Sequence, residues 1–241
     1  MKLFRLIPSI VVLLVLLPAF PRAASLFWQS ETIHKAPVKE PLIALTFDDG
    51  PHPEYTIQLL DVLDSYNVKA TFFLVGNLME KYPDIVKQIV ARGHAIGNHT
   101  YSHPPNMELE THASVITELD RTDAVIKKIT GMKTDLFRPP KGLVDGNLLS
   151  IAEQKGFKTI LWTVCADNRE APTPELMAKR VTDRISPGAI ILAHDGRYKS
   201  RWKDVAATPI IIERLIIAGY HFVTVPELIA AGQIQDKGIG K

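Results

Sequence analysis

The sequence predicts an α/β fold, a distorted (β/α) barrel of about seven parallel strands in a single domain. Two observations predict it. Short apolar runs with no polar alternation, as in strands buried on both faces, alternate with segments whose apolar residues recur at helical spacing. About seven such units fit into roughly 190 residues, which favours a small or distorted barrel over an open sheet, although periodicity alone does not separate the two. A length of 241 residues with 46% hydrophobic and 22% charged residues suits one sizeable core and excludes a disordered tail, a collagen-like fibre or a disulfide scaffold.

In chain order, residues 42–47 form a short buried strand. Tyr55, Leu59, Leu60 and Leu63 mark a helix face. A second strand, rich in Phe and Val, covers 70–75. Ile85, Val86, Ile89 and Val90 mark a helix that Gly93 ends, and Val115, Leu119, Ile126 and Ile129 mark a longer one ending at Gly131. After a helix stopped at Gly156, residues 157–164 read as one apolar strand. Residues 189–193 give another strand, 210–217 continue a helix ending near Gly219, and 222–225 are the last strand.

Residues 1–24 read as a cleaved signal peptide or an N-terminal membrane anchor. Lys2 and Arg5 precede an apolar run, and small residues follow Arg22. Either reading places the rest outside the cytoplasm: extracellular, in the cell wall, or on the outer face of the cytoplasmic membrane. Membrane association follows only if the segment is uncleaved. Removing its three cations takes the formal charge from +2 to −1, so no basic surface for nucleic acid remains. Residues 25–40 read as a polar linker broken by Pro37, 41–232 as the domain, and 233–241 as a tail. Cys165 is the only cysteine, so no internal disulfide forms. The chain is expected to be a monomer.

Four motifs carry chemistry. Thr46-Phe47-Asp48-Asp49-Gly50-Pro51 sets two carboxylates at the C-terminal end of a strand, where parallel α/β folds bind ligands. The plainer alternative is a turn capping the next helix. His99-Thr100-Tyr101-Ser102-His103 sets two imidazoles four residues apart, on one face of a helical turn, able to grip one metal. Asp49 is the natural third ligand, and two His with one carboxylate leave open the positions a catalytic metal needs. Phe137-Arg138-Pro139-Pro140-Lys141-Gly142 fixes an arginine near a strand end. Leu192-Ala193-His194 follows an apolar strand at the same end. Read singly, the last two are equally a solvated loop arginine and a loop histidine.

Together and in this order, the four motifs resemble the polysaccharide deacetylase family, carbohydrate esterase family 4, over residues 41–229. The resemblance implies a distorted barrel that removes acetyl groups from N-acetylated sugars, with a cell-wall glycan, peptidoglycan first, as the substrate. It implies that Asp49, His99 and His103 hold one divalent metal, usually zinc, with cobalt, manganese or nickel as alternatives. Asp48 would be the general base, His194 the general acid, and Arg138 would sit beside Asp48 and fix its ionisation. The residues agree with that chemistry. An amide is a poor electrophile with a poor leaving group, so it needs polarisation, a base for water and an acid for the departing amine. Leu192, Trp162 and the Pro139-Pro140 segment would form the apolar pocket for the acetyl methyl.

Two features depart from the family pattern. Lys141 stands where an aromatic residue is common, which alters what the groove accepts beside the acetyl group. In the fourth motif Cys165 stands where an aspartate is expected, leaving Asp167 as the candidate that orients His194. The other histidines, His52, His94, His112 and His221, lack a partner pattern and read as ordinary residues, with His52 and His94 the nearest candidates to line the site. Two further readings compete with a deacetylase: a catalytically silent glycan-binding module, motivated by the altered fourth motif, and an amidase acting on a non-sugar C–N bond.

Overall fold

Leu42–Gly50 is buried at every position from Ile43 onward, because it lies in a parallel sheet whose two faces are both covered by packed side chains. The computed structural model describes residues 32–167 and 171–238. Its strands are β1 (Leu42–Gly50), β2 (Thr71–Leu74), β3 (Ala95–Asn98), β4 (Leu136–Phe137), β5 (Lys158–Thr159), β6 (Val164–Cys165), β7 (Ile190–His194) and β8 (His221–Phe222). They lie in the order β5-β4-β3-β2-β1-β7-β6, all pairs parallel, and β8 joins the start of β1. The sheet is thus a curled, open barrel with β5 and β6 at its edges.

The helices are α1 (Tyr55–Ser65), α2 (Gly76–Lys81), α3 (Pro83–Ala91), α4 (His112–Thr130), α5 (Gly146–Gln154), α6 (Pro174–Thr182), α7 (Trp202–Ile217) and α8 (Val225–Gly238). Side-chain caps fix three starts: Thr111 accepts from Ser114 N, Asp145 from Leu148 N and Thr173 from Leu176 N. The pleat of β1 sorts its side chains. Ile43, Leu45 and Phe47 join the larger core with Leu59, Leu63 and Ile212, whereas Ala44 packs inside the curl with Phe73, Leu136 and Ile190. Thr46 and Asp48 share the inner face with Ala44. No helix among the described residues is long and apolar enough to cross a membrane.

Three expectations change. The apolar run 157–164 is not one strand: β5 and β6 are two-residue pieces, because the carbonyls of Ile160 and Leu161 between them accept the Arg138 guanidinium instead of a ladder. The stretch expected to be a free linker is docked over its described part. Ile33 N donates to Thr159 O (2.8 Å), Leu161 N to Ile33 O (2.8 Å) and Ala36 N to Gly188 O (2.9 Å), so residues 33–36 strap β5 to the start of β7. Ala36 and, just beyond the strap, Val38 are buried. Finally, α8 runs on to Gly238, into the expected tail. Residues 1–31, with the signal or anchor reading, lie outside the described residues.

Candidate active site

Every motif residue singled out in the sequence stands at or just beyond the C-terminal end of a strand: Asp48 and Asp49 on β1, His99 and His103 after β3, Arg138 after β4, His194 on β7 and Asp167 after β6. Asp48 and Asp49 separate because the chain turns between them. Asp49 has a left-handed backbone (φ 75°), and the register with β2 shifts between Asp48 and Gly50. Asp48 therefore stays inside the curl while Asp49 turns toward the histidines.

Asp49 Oδ1 lies 3.1 Å from His103 Nε2 and 3.7 Å from His99 Nε2. Donor atoms around a tetrahedral zinc ion stand roughly 3–3.5 Å apart, so this spacing fits one small cation. The His99 Nδ1–H donates to the Arg138 carbonyl at 2.7 Å, which leaves the Nε2 lone pair facing Asp49, the usual arrangement behind a metal-bound histidine. Burial pushes the Asp49 carboxyl up, but the hydrogen bond from His103 and the nearby imidazoles outweigh it and hold it at about 2. Burial keeps His99 below its ordinary value, hence neutral and able to ligate. The histidine pair is not on a helical turn as expected. It occupies a loop with left-handed Thr100 and His103, held by Asn98 Oδ1 accepting from Thr100 N and Glu118 accepting from Tyr101 N and Ser102 N. The loop, rather than an i, i+4 face, brings the rings to 5.0 Å.

Arg138 is fully buried. Its Nη1 donates to Asp48 Oδ1 (2.7 Å) and Thr46 Oγ1 (2.8 Å), and Nε and Nη2 donate to the Ile160 and Leu161 carbonyls. Such a fork fixes the carboxylate's direction and supplies its counter-charge. Asp48 Oδ2 then faces His99 Nε2 at 3.8 Å.

His194 is the register neighbour of Asp48 across β1 and β7. Its Nδ1 lies 3.1 Å from Asp167 Oδ1, and its backbone N–H donates to Asp204 Oδ1 at 3.0 Å. Burial lowers the imidazole's pKa, yet the Asp167 hydrogen bond overcomes this and raises it above the ordinary value. Asp167 is itself held well below the carboxylate range. Burial opposes that, and His194 and Arg201 prevail.

A sequence model of the family described as polysaccharide deacetylase matches residues 35–160, more than half of the chain. The chain belongs to the polysaccharide deacetylase family. Its relatives include a peptidoglycan-N-acetylglucosamine deacetylase of Bacillus cereus, 36% identical over 80% of this chain and 70% of that one. The solved Bc1960 peptidoglycan N-acetylglucosamine deacetylase superposes with a TM-score of 0.79 at 35% identity, covering 83% of this chain and 92% of that one. The solved BA3943 protein of Bacillus anthracis, a pseudoenzyme of the same carbohydrate esterase family 4, superposes with a TM-score of 0.77 at 30% identity, covering 84% and 70%.

Two departures from this deacetylase family's pattern are now placed. Cys165 Sγ is 3.1 Å from Asp167 Oδ1, and burial pushes the thiol far up, so it is a packed donor and not a nucleophile. Lys141 is exposed on a turn where its own φ is 57°. Trp162 lies over Gly142, where a Cβ would come within 2.5 Å of the indole, and Leu192 stands beside Thr46 on the face that carries Asp48 and His194. Pro140 is buried directly after the arginine motif. A cavity of about 310 Å³ opens at the acid side, lined by Asp167, Met177, Arg201 and Asp204.

The two extra histidines are each engaged by backbone amides. His52 Nδ1 accepts from Glu54 N and Tyr55 N at the start of α1. His94 is buried at the opposite end of β3, where its Nδ1 accepts from Ala70 N. Sequence reasoning missed Arg201, Asp204 and Asp195. Asp195 is fully buried, accepts the Thr56 hydroxyl, and is pushed up to about 7 by burial. Its position next to His194 was the available signal.

Proposed function

We propose that this chain hydrolyses N-acetyl groups on amino sugars of an exported polysaccharide, with peptidoglycan as the favoured polymer. One observation carries the reading: Asp48 and His194 are side-by-side neighbours on β1 and β7, and the Asp49–His99–His103 cluster lies beside them. A base and an acid thus stand at one metal-type cluster, the set an amide hydrolysis needs.

Asp49, His99 and His103 would hold a divalent ion, zinc in our reading, and such an ion supplies Lewis acidity toward the acetyl carbonyl and the attacking water. Asp48, its direction set by Arg138, accepts the proton of that water. His194, kept protonated against Asp167, delivers a proton to the amine nitrogen as the C–N bond breaks. Acetate and a free amino sugar result. Trp162 and Leu192 exclude water from the acetyl methyl. The favoured location is outside the cytoplasm, either released or tethered through residues 1–24.

The pseudoenzyme relative keeps a second reading in view, a glycan-binding module without turnover. The intact pairing of Asp48 with Arg138 and of His194 with Asp167 favours the enzyme, because binding alone requires neither. Acetate release from zinc-loaded protein, measured on peptidoglycan, chitin oligomers and small non-sugar amides, separates the readings. Release from the glycans is expected. Glycan binding without acetate overturns the proposal, and release confined to small amides redirects it to an amidase.

A further inference from the structure

Arg201 closes the short turn Lys199–Arg201 ahead of α7 and points its buried guanidinium into the site. Three carboxylates surround it, and each uses its two oxygens in the same way. Asp167 sets Oδ1 3.1 Å from His194 Nδ1 and accepts from Arg201 Nη1 on Oδ2. Asp204 gives Oδ1 to the His194 backbone N–H and has Arg201 Nη1 3.7 Å from Oδ2. Asp49 gives Oδ1 to His103 and has Arg201 Nη2 3.6 Å from Oδ2. The inner oxygens do the work of the site, and the outer oxygens share one cation.

We propose that Arg201 is a positioning residue that locks Asp167 and Asp204 in the orientations that fix His194, and ties this acid half to the ligand Asp49. The inference rests on the reading of His194 as the proton donor. It also accounts for the altered fourth motif. With Cys165 on the strand, the orienting carboxylate comes from Asp167, which stands on a loop after β6 and needs an external hold. Without the guanidinium, Asp167 and Asp204 face each other as like charges, and Asp167 is free to swing from His194. A planar fork suits the task because one side chain can address several carboxylates at fixed angles.

A double-mutant cycle tests it. Arg201→Met is expected to lower kcat by about 10–100-fold, the usual range for partners behind a functional group, with KM and zinc stoichiometry unchanged. Asp167→Asn is expected to cost a similar factor, and the double variant little more than either single one, since both remove the same constraint. Arg201→Lys, which keeps the charge without the fork, should recover part of kcat, and Lys199→Met, an exposed cation on the same turn, should match the wild type. A second measurement needs no substrate. In ¹⁵N-imidazole spectra of the metal-free chain, the His194 Nδ1 proton held by Asp167 should give a protected low-field resonance that Arg201→Met loses. If Arg201→Met does not fold, Arg201→Lys is carried through both measurements with an expected loss of about 3–10-fold. Additive losses in the cycle, or a His194 resonance unchanged by the substitution, overturn the proposal. A wild-type chain that releases no acetate defeats the functional reading alone, and the imidazole spectra still decide the role of Arg201.

Discussion

Asp48 and Asp49 are chain neighbours with different surroundings, because the backbone of Asp49 is left-handed. Asp48 is clamped by Arg138, and Asp49 faces His103. Replacing Asp48 by Asn should lower kcat by about 10²–10⁴, the range for losing a general base, while one zinc per chain is still bound, as metal analysis would show. Both aspartates, both histidines, Arg138 and His194 were legible in the sequence because each lies inside a short contiguous motif. Arg201 and Asp204 were not. They reach the site from the start of α7, and nothing in Lys199-Ser200-Arg201-Trp202 distinguishes a buried guanidinium from a solvated one. His94 makes a residue-scale prediction away from the chemistry. Burial pushes its pKa down to about 4, so its neutral form stabilises the fold fully above about pH 6.5. That contribution, at most about 3.5 kcal/mol at about 1.4 kcal/mol per pKa unit, is lost as pH falls from 6.5 through 4. His94→Gln should be less stable than wild type at pH 7 and close the gap toward pH 4.5 in thermal melts of the metal-free chain.

Elements were legible where hydrophobic runs are long and unshared. β1, β2, β7, α1, α3 and α4 appear within a few residues of their predicted places. β3 and β4 escaped notice because Ala95-Ile96-Gly97-Asn98 and Leu136-Phe137 are too short for a periodicity, and the 157–164 run misled because its middle carbonyls serve Arg138. The strap of residues 33–36 was hidden by His34, Lys35 and the Pro37 that follows it, since its bonds are backbone bonds that side-chain patterning does not reveal. Its weak point is Gly188, which has φ +81° and would place a Cβ 1.9 Å from the Ala36 carbonyl oxygen. Gly188→Ala should detach the strap or strain the start of β7, costing roughly 1–3 kcal/mol. Hydrogen exchange should then rise at Ala36 N and Leu161 N ahead of the amides of β2, and unchanged protection at those two amides would show the strap to be dispensable.

For the whole molecule, the metal-type cluster joins distant parts of the chain, with ligands from the end of β1 and from the loop after β3. An ion bound there stabilises the folded chain by mass action, about 2.7 kcal/mol at a hundredfold excess over Kd. For a chain of this size that corresponds to a rise in Tm of roughly 5–10 °C, reversed by chelation. Asp49→Asn should abolish most of the zinc-dependent rise, whereas Asp48→Asn should retain it. A zinc-independent Tm in the wild type would remove the cluster from the account of both stability and function.

The strap also sets a distance. Chain pinned against the barrel begins by Ile33, and residue 24 lies only nine positions before it. Even fully extended, that interval reaches roughly 30 Å. If residues 1–24 held the chain in a membrane, an interval that short would keep the barrel close to the bilayer. For a released form no such radius would exist, and the same site would act wherever the chain diffuses.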